Sequence, residues 1–210
     1  LAGELTPELT TIASRCVNVE FGPLSASVVE RQLVAEGSPS QKAQLAASAS
    51  GGDLDRARLL VTDEAIAQRA QLWRSIPAEL NGSGHAVYDY TQRIRSALDD
   101  SAEPLERRHA SELEVLDRQA EELGERGLGR ARVIASHKRE LRKLRTDELR
   151  FGFATLSRVY RDRLLAASDP AAVSALDRIQ LAAKELIRNP NEALFLQTLL
   201  LDLTPPSPNS

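Results

Sequence analysis

The chain of 210 residues predicts an all-α protein. Three observations lead there. Leu, Ala, Glu and Arg, which favour helices, dominate the composition, while aromatic residues make up only 4%. Apolar side chains recur at steps of three and four over long stretches, as in Leu113, Leu116, Ala120 and Leu123, or Ile134, His137, Leu141 and Leu144. Only one short segment, "VNVEF" at 17–21, alternates apolar and polar residues as a strand does.

The remaining composition narrows the class further. Hydrophobic content of 42% and charged content of 27% are ordinary for a globular protein. A net charge of −3 argues neither for nor against a nucleic-acid partner. A single cysteine, Cys16, excludes an internal disulfide framework and a cysteine zinc cage, and fits a reducing cytoplasm. Its place at the start of a strand favours a packed thiol over a reactive one. No apolar run is long enough to cross a membrane, and the first residues given do not read as a signal peptide. The chain contains no methionine and begins at Leu1, which leads us to expect a C-terminal fragment of a longer protein.

Taken in order, Thr6-Pro7-Glu8 reads as a cap, a proline at the first helical position and an acidic first turn of a short helix. The 17–21 strand follows and stops at Gly22-Pro23; too short to stand alone, it is expected to be the remnant of a larger sheet. Ser25 caps a helix ended by Gly37, and Ser38-Pro39-Ser40 opens a second that ends at Gly51-Gly52. Asp53 caps a third, and Asp63 a fourth that runs to Ile76 before Pro77. "ELNGSG" (79–84) reads as a flexible linker.

Longer helices are then expected at 85–98, at 102 to about 124, and at 130–167 with a bend near Gly152. Asp169-Pro170 starts another to about Arg188, and Asn189-Pro190-Asn191 precedes a last helix at 192–203. "TPPSPNS" is expected to be a disordered tail. Two of the long helices are expected to zip together as antiparallel arms. Residues 103–125 carry 8 acids and 3 bases, and residues 126–150 carry 9 bases and 3 acids, so the arms are complementary in charge.

Chemical motifs are sparse. The chain has no GxxxxGK[ST] phosphate loop, no HExxH and no CxxC. His85, His109 and His137 are far apart in sequence, mostly on charged helix faces, and are not expected to ligate a metal. Nothing resembles a nucleophile elbow. No catalysis is expected from these residues alone. Lys138, Arg139, Arg142, Lys143 and Arg145 form a basic stripe that reads first as a partner for the acidic arm or a solvated face, and second as a contact for DNA phosphates.

Two stretches carry a family likeness. Thr10-Thr11-Ile12-Ala13-Ser14-Arg15-Cys16, the strand, and Phe21-Gly22-Pro23-Leu24-Ser25 resemble the end of the AAA+ module of bacterial DNA polymerase III clamp-loader subunits, with Thr10 where a proline is usual. "RVYRDRLL" (158–165) and "ELIRNPNEALFLQTLLLDL" (185–203) resemble the collar domain of the same proteins. In the ATP-hydrolysing gamma/tau subunit a nucleotide-sensing arginine follows the paired glycines. Here the matching run is Gly52-Asp53-Leu54-Asp55-Arg56-Ala57-Arg58, with Asp55 at the sensor position. An acid facing a triphosphate repels it. The resemblance is therefore to the delta-prime type, which completes the ring without hydrolysing ATP.

That resemblance implies a layout: 1–24 as the end of the AAA+ base, 25–78 as a small lid of three to four helices, 79–84 as linker, 85–204 as a helical collar bundle and 205–210 as tail. It implies that Arg15 is an arginine finger offered in trans to ATP bound by a neighbouring gamma/tau subunit, with no cofactor held by this chain. The partners would be gamma/tau and delta subunits, and through them the sliding clamp and primed DNA. Leu194, Phe195, Thr198, Leu199 and Leu201 would form the collar interface, and the fragment alone would be a monomer. The rival readings are a gamma/tau motor fragment, which needs a lid arginine aimed at nucleotide, and an unrelated helical scaffold.

Overall fold

The computed structural model describes residues 22–123 and 129–204, and these are all-α. Eight helices are present among them: α1 (Ala26–Ala35), α2 (Ser40–Ala49), α3 (Leu54–Val61), α4 (Ile66–Glu79), α5 (Gly84–Leu123), α6 (Arg130–Ala167), α7 (Pro170–Glu185) and α8 (Glu192–Asp202). A single 3₁₀ turn, Leu186–Arg188, links α7 to α8. The predicted first helix, the 17–21 strand, Arg15, Cys16 and the tail from 205 lie outside the described residues.

Helices α1–α3 form a small unit around Val29, Leu33, Ala43, Ala46, Ala47 and Ala57, all almost fully buried. Alanine at most contact positions lets these short helices approach closely. The segment leading into α1 is pinned to the turn before α3. The Leu24 amide donates to the Gly52 carbonyl at 3.1 Å. Gly52 itself has φ +86°, and a Cβ there would lie 2.4 Å from the Leu24 carbonyl oxygen. Only glycine fits both demands. Asp53 then caps α3, accepting from the Arg56 amide at 3.0 Å.

Several boundaries differ from the sequence reading, three of them by more than a turn's end. α4 continues through Pro77 to Glu79, because its buried seam of Ile66, Ala70, Trp73, Ile76 and Leu80 keeps helical spacing past the proline. The stretch 79–84 is consequently a tight capped turn rather than a flexible linker. Leu80 is buried, the Asn81 side chain accepts from the Ser83 amide and hydroxyl, and Ser83 Oγ accepts from the Ala86 amide. The helices expected at 85–98 and 102–124 are one, α5, running through Pro104. Proline removes one amide donor there. The inward positions Ile94, Leu98, Ala102, Leu105 and His109 nevertheless step by four, four, three and four without losing phase, so packing holds the helix together.

The main core joins α4, α5, α6, α7 and α8 through Trp73, Ile76, Tyr90, Ile94, Phe153, Leu156, Ile179, Phe195, Leu196 and Leu200, among others. A third cluster of Leu45, Ala49, Ile66, Ala70 and Phe151 ties α2 and α4 to α6. At Gly152, where a bend is expected, the Trp73 side chain of α4 crosses α6 closely. A Cβ at Gly152 would lie 2.0 Å from Trp73 Cε2, so the glycine exists to let the indole lie on the α6 backbone. Phe153 meets the same indole edge-on, with ring centroids 5.8 Å apart.

Beyond this body, α5 and α6 run antiparallel as an arm, with Asp99 opposite Arg145, His109 opposite His137 and Asp117 opposite Arg130. From Asp99 to Leu123 the arm is about 36 Å long. Among the described residues, no fully buried apolar side chain occurs between Ala102 and Leu149. Leu113, Leu116, Ala120, Ile134, Leu141 and Leu144 are half-buried, as the two helices have only each other to cover them.

Candidate functional site

Two surfaces follow from the expectations of the sequence: the start of α3, where the resemblance implies a nucleotide sensor, and α8, where it implies a subunit interface.

At the start of α3, Asp55 is almost fully exposed and bonds only Arg58, at 2.9 Å. Arg58 reaches back to α1, donating from Nη2 to Glu36 at 2.7 Å and from Nε to the same carboxylate at 3.1 Å. The Arg58 hydrogen bond, with a second from Gln32, holds the Glu36 carboxyl down at about 2, and the Arg58 pKa rises in turn. Arg56 points the other way, into α6, where it pairs with Asp147 and lies 3.7 Å from Glu148.

Glu148 is 6% exposed and is shared with Arg69 of α4, whose Nε donates to it at 3.0 Å. Arg69 also donates to Asp63 at 2.6 Å. Burial alone would lower the Arg69 pKa, but Asp63 and Glu148 outweigh it and the value rises. A buried acid flanked by two arginines satisfies the charges that packing has taken out of water. This junction fixes α3 and α4 to α6. The sequence gives little sign of it, because Arg56 and Glu148 are far apart and each reads alone as a surface charge.

A cleft of about 710 Å³ opens beside the junction, between α3 and α4 on one side and α5 and α6 on the other. Its cations are Arg56, Arg69 and Arg93. The first two are engaged as described, and Arg93 lies over the Tyr90 ring at 4.7 Å with Asp89 and Glu79 nearby. The cations of the cleft thus each lie beside acids or an aromatic ring of the chain.

The predicted interface on α8 is split by the fold. Leu194 (64% exposed), Leu201 (55%) and Thr198 share one outward face at steps of four and three. Phe195 (8%) and Leu199 (3%) point into the core, which corrects their assignment to the interface. The physical reason is that α8 is apolar nearly all round, and sequence alone does not tell which side its neighbours cover. Across a shallow groove from Thr198 lies Leu181 of α7, half exposed, so the outward face extends beyond α8.

The arm holds a pair that sequence reading missed. His109 and His137, expected to be apart, stack with centroids 3.8 Å apart and planes 7° from parallel. His137 Nε2 bonds Glu112 at 2.8 Å, and His109 Nε2 bonds Glu140 at 3.1 Å. Each helix carries the same His-x-x-Glu spacing, so the two halves exchange equivalent contacts across the seam. That repeated spacing was the available signal. The His109 bond, with Arg108 beside it, lowers the Glu140 pKa. Among the described residues no group of three or more His, Cys, Asp or Glu side chains is placed to hold a metal ion. No described helix is long and apolar enough to cross a membrane.

Comparison with family models, with curated proteins and with solved structures finds no match to this chain.

Proposed function

We propose that the chain is the lid and collar part of a delta-prime-type clamp-loader subunit, a non-hydrolysing member of the DNA polymerase III loading complex. One observation carries the reading. Both arginines near the sensor position are committed within the chain, Arg58 to Glu36 and Asp55, and Arg56 to Asp147 and Glu148. A gamma/tau motor needs a lid arginine free to meet nucleotide. Here the start of α3 offers an exposed acid instead.

Two further features support it. Pro23-Leu24 packs against the paired-glycine turn, joining the end of the first stretch of likeness to the run that holds the sensor position. The outward apolar face of Leu194 and Leu201, with Leu181 beside it, is what a collar needs to associate with neighbouring gamma/tau and delta subunits. In this reading the chain is structural for the ring, ATP is held by its neighbours, and Arg15 is the group it lends to their chemistry. The complex would act in the cytoplasm on the sliding clamp and primed DNA.

The test is reconstitution with gamma/tau and delta subunits. The chain should co-elute with them, and Leu194→Asp/Leu201→Asp should abolish co-elution while leaving the fold intact. Arg15→Ala in the full-length subunit should leave the complex assembled and slow its ATP hydrolysis by roughly tenfold or more. Failure of the wild-type chain to co-elute sinks the family reading; unchanged hydrolysis by Arg15→Ala sinks the trans-finger assignment alone.

A further inference from the structure

The arm's cross-helix ion pairs leave most of its basic residues unused. Across the seam, Arg108 bonds Glu140, Arg130 bonds Asp117, Arg145 bonds Asp99, and the histidines take Glu112 and Glu140. Arg145, read from sequence as part of the basic stripe, also donates twice to Glu192 of α8 and thus belongs to the arm's root. Lys138, Arg139, Arg142 and Lys143 make no ion pair among the described residues, and all four are exposed. Of the two readings of the stripe, a partner for the acidic arm or a solvated face, these four side chains take the second.

Their placement is orderly. They occupy two successive turns of α6 on the side facing away from α5. The one acid in that stretch, Glu140, is drawn toward the seam, with Arg108 Nη2 at 2.6 Å and His109 Nε2 at 3.1 Å. The outward face is left with positive charge of one sign, while unpaired acids such as Glu106 and Glu114 lie on the opposite arm helix.

We propose that this outward face of α6 binds the phosphate backbone of duplex DNA. The chemistry of the face selects the partner. Lysine and arginine only donate hydrogen bonds, and phosphate oxygens only accept them. A helix about 10–12 Å across lies readily along or within a major groove about 12 Å wide. The face carries no aromatic ring on which unpaired bases could stack, which disfavours a single strand. It also lacks the large apolar side chains that a membrane surface would take up. The contacts proposed are to phosphate oxygens, which carry no sequence information, so affinity should vary little with sequence. The acidic α5 side repels the same polyanion and forces one orientation on the arm. This surface follows from the arm's own charges and does not rest on the clamp-loader reading.

Fluorescence anisotropy of the whole chain with a short labelled DNA duplex tests it. Binding in the range of roughly 10⁻⁴–10⁻⁶ M is expected, with log K falling against log salt at a slope of about −4, or roughly 100-fold between about 50 and 200 mM. Lys138→Ala/Arg139→Ala/Arg142→Ala/Lys143→Ala should lower affinity at least tenfold and flatten the slope by about 3 to 4. Its helical circular dichroism and thermal midpoint should be unchanged, since all four side chains are exposed. A charge-matched control, Arg158→Ala/Arg161→Ala/Lys184→Ala/Arg188→Ala, should retain most of the binding. The proposal is overturned if the wild-type chain does not bind duplex at low salt. It also falls if both quadruple variants lose affinity equally, or if anionic vesicles or an acidic protein bind the stripe where the duplex does not.

Discussion

The body and the arm are built from the same two helices, yet they are held together in different ways. In the body, α5 and α6 are enclosed by α4, α7 and α8, and their inward positions are Tyr90, Ile94, Phe153 and Leu156. In the arm the same helices cover only each other, and their inward positions are half-buried leucines, alanines and a stacked histidine pair. Enclosure on several sides is what makes an apolar side chain worth its full transfer free energy. Two helices alone cannot supply it, so the arm depends more on ion pairs and hydrogen bonds. It should therefore be the region that opens first, on a smaller local free energy than the body.

The largest effect should come from breaking the body where it is tightest. Trp73→Ala removes a buried indole and should cost about 3–5 kcal/mol, read from urea unfolding. Gly152→Ala places a methyl group against the same ring and should cost about 3 kcal/mol, at the upper end for overpacking. Trp73→Phe should recover part of that loss. If Gly152→Ala is silent, the close crossing of α4 and α6 is wrong.

The ionic junction comes next. Glu148→Gln leaves Arg56 and Arg69 with one carboxylate each and should cost about 2 kcal/mol. Because the junction ties α3 and α4 to α6, hydrogen exchange in α1–α4 should rise more than in α7 and α8. A uniform rise would mean that the small helical unit is not separately anchored.

Substitutions in the arm should cost less and act locally. Leu113→Ala should cost about 1 kcal/mol, since the side chain is only half covered. Exchange should quicken in the outer turns of α5 and α6 while the global unfolding midpoint barely moves. A shift in that midpoint equal to the cost would show that arm and body unfold as one.

Acid should sharpen the comparison by a smaller margin. Glu36 and Glu140 both have pKa values below the ordinary carboxylate value in the folded chain. Their contributions are present above the unfolded value and are lost as pH falls through the folded one. For Glu36 that loss extends down to about 2. Amide exchange followed through the acid range should show the arm opening around Glu140 while Arg58 still holds α1 to α3. The reverse order would contradict the ranking of the two regions.

Much of the fold was legible from local pattern. The starts of α3, α7 and α8 were read from Asp53, Asp169-Pro170 and Asn191, and each side chain accepts the amide bond a cap requires. Three of the boundary errors share one cause. Pro77, Pro104 and "ELNGSG" carry local break signals, and at each place a buried seam or a capped turn overrode them. The site was less legible. Arg56 with Glu148, and His109 with His137, are pairs made across the fold; only the histidines carry a local signal, the repeated His-x-x-Glu spacing.

By itself the sequence determined that the chain is helical, where most helices start, and that two long arms have opposite charge, because propensity, capping and charge are properties of neighbouring residues. The tertiary structure alone decided that Gly152 is a seat for Trp73. It also decided that Phe195 and Leu199 face the core while Leu194 and Leu201 face outward. And it decided that, among the described residues, Lys138, Arg139, Arg142 and Lys143 of α6 have no acid partner. Burial and pairing depend on which distant surface arrives, and no local pattern encodes that.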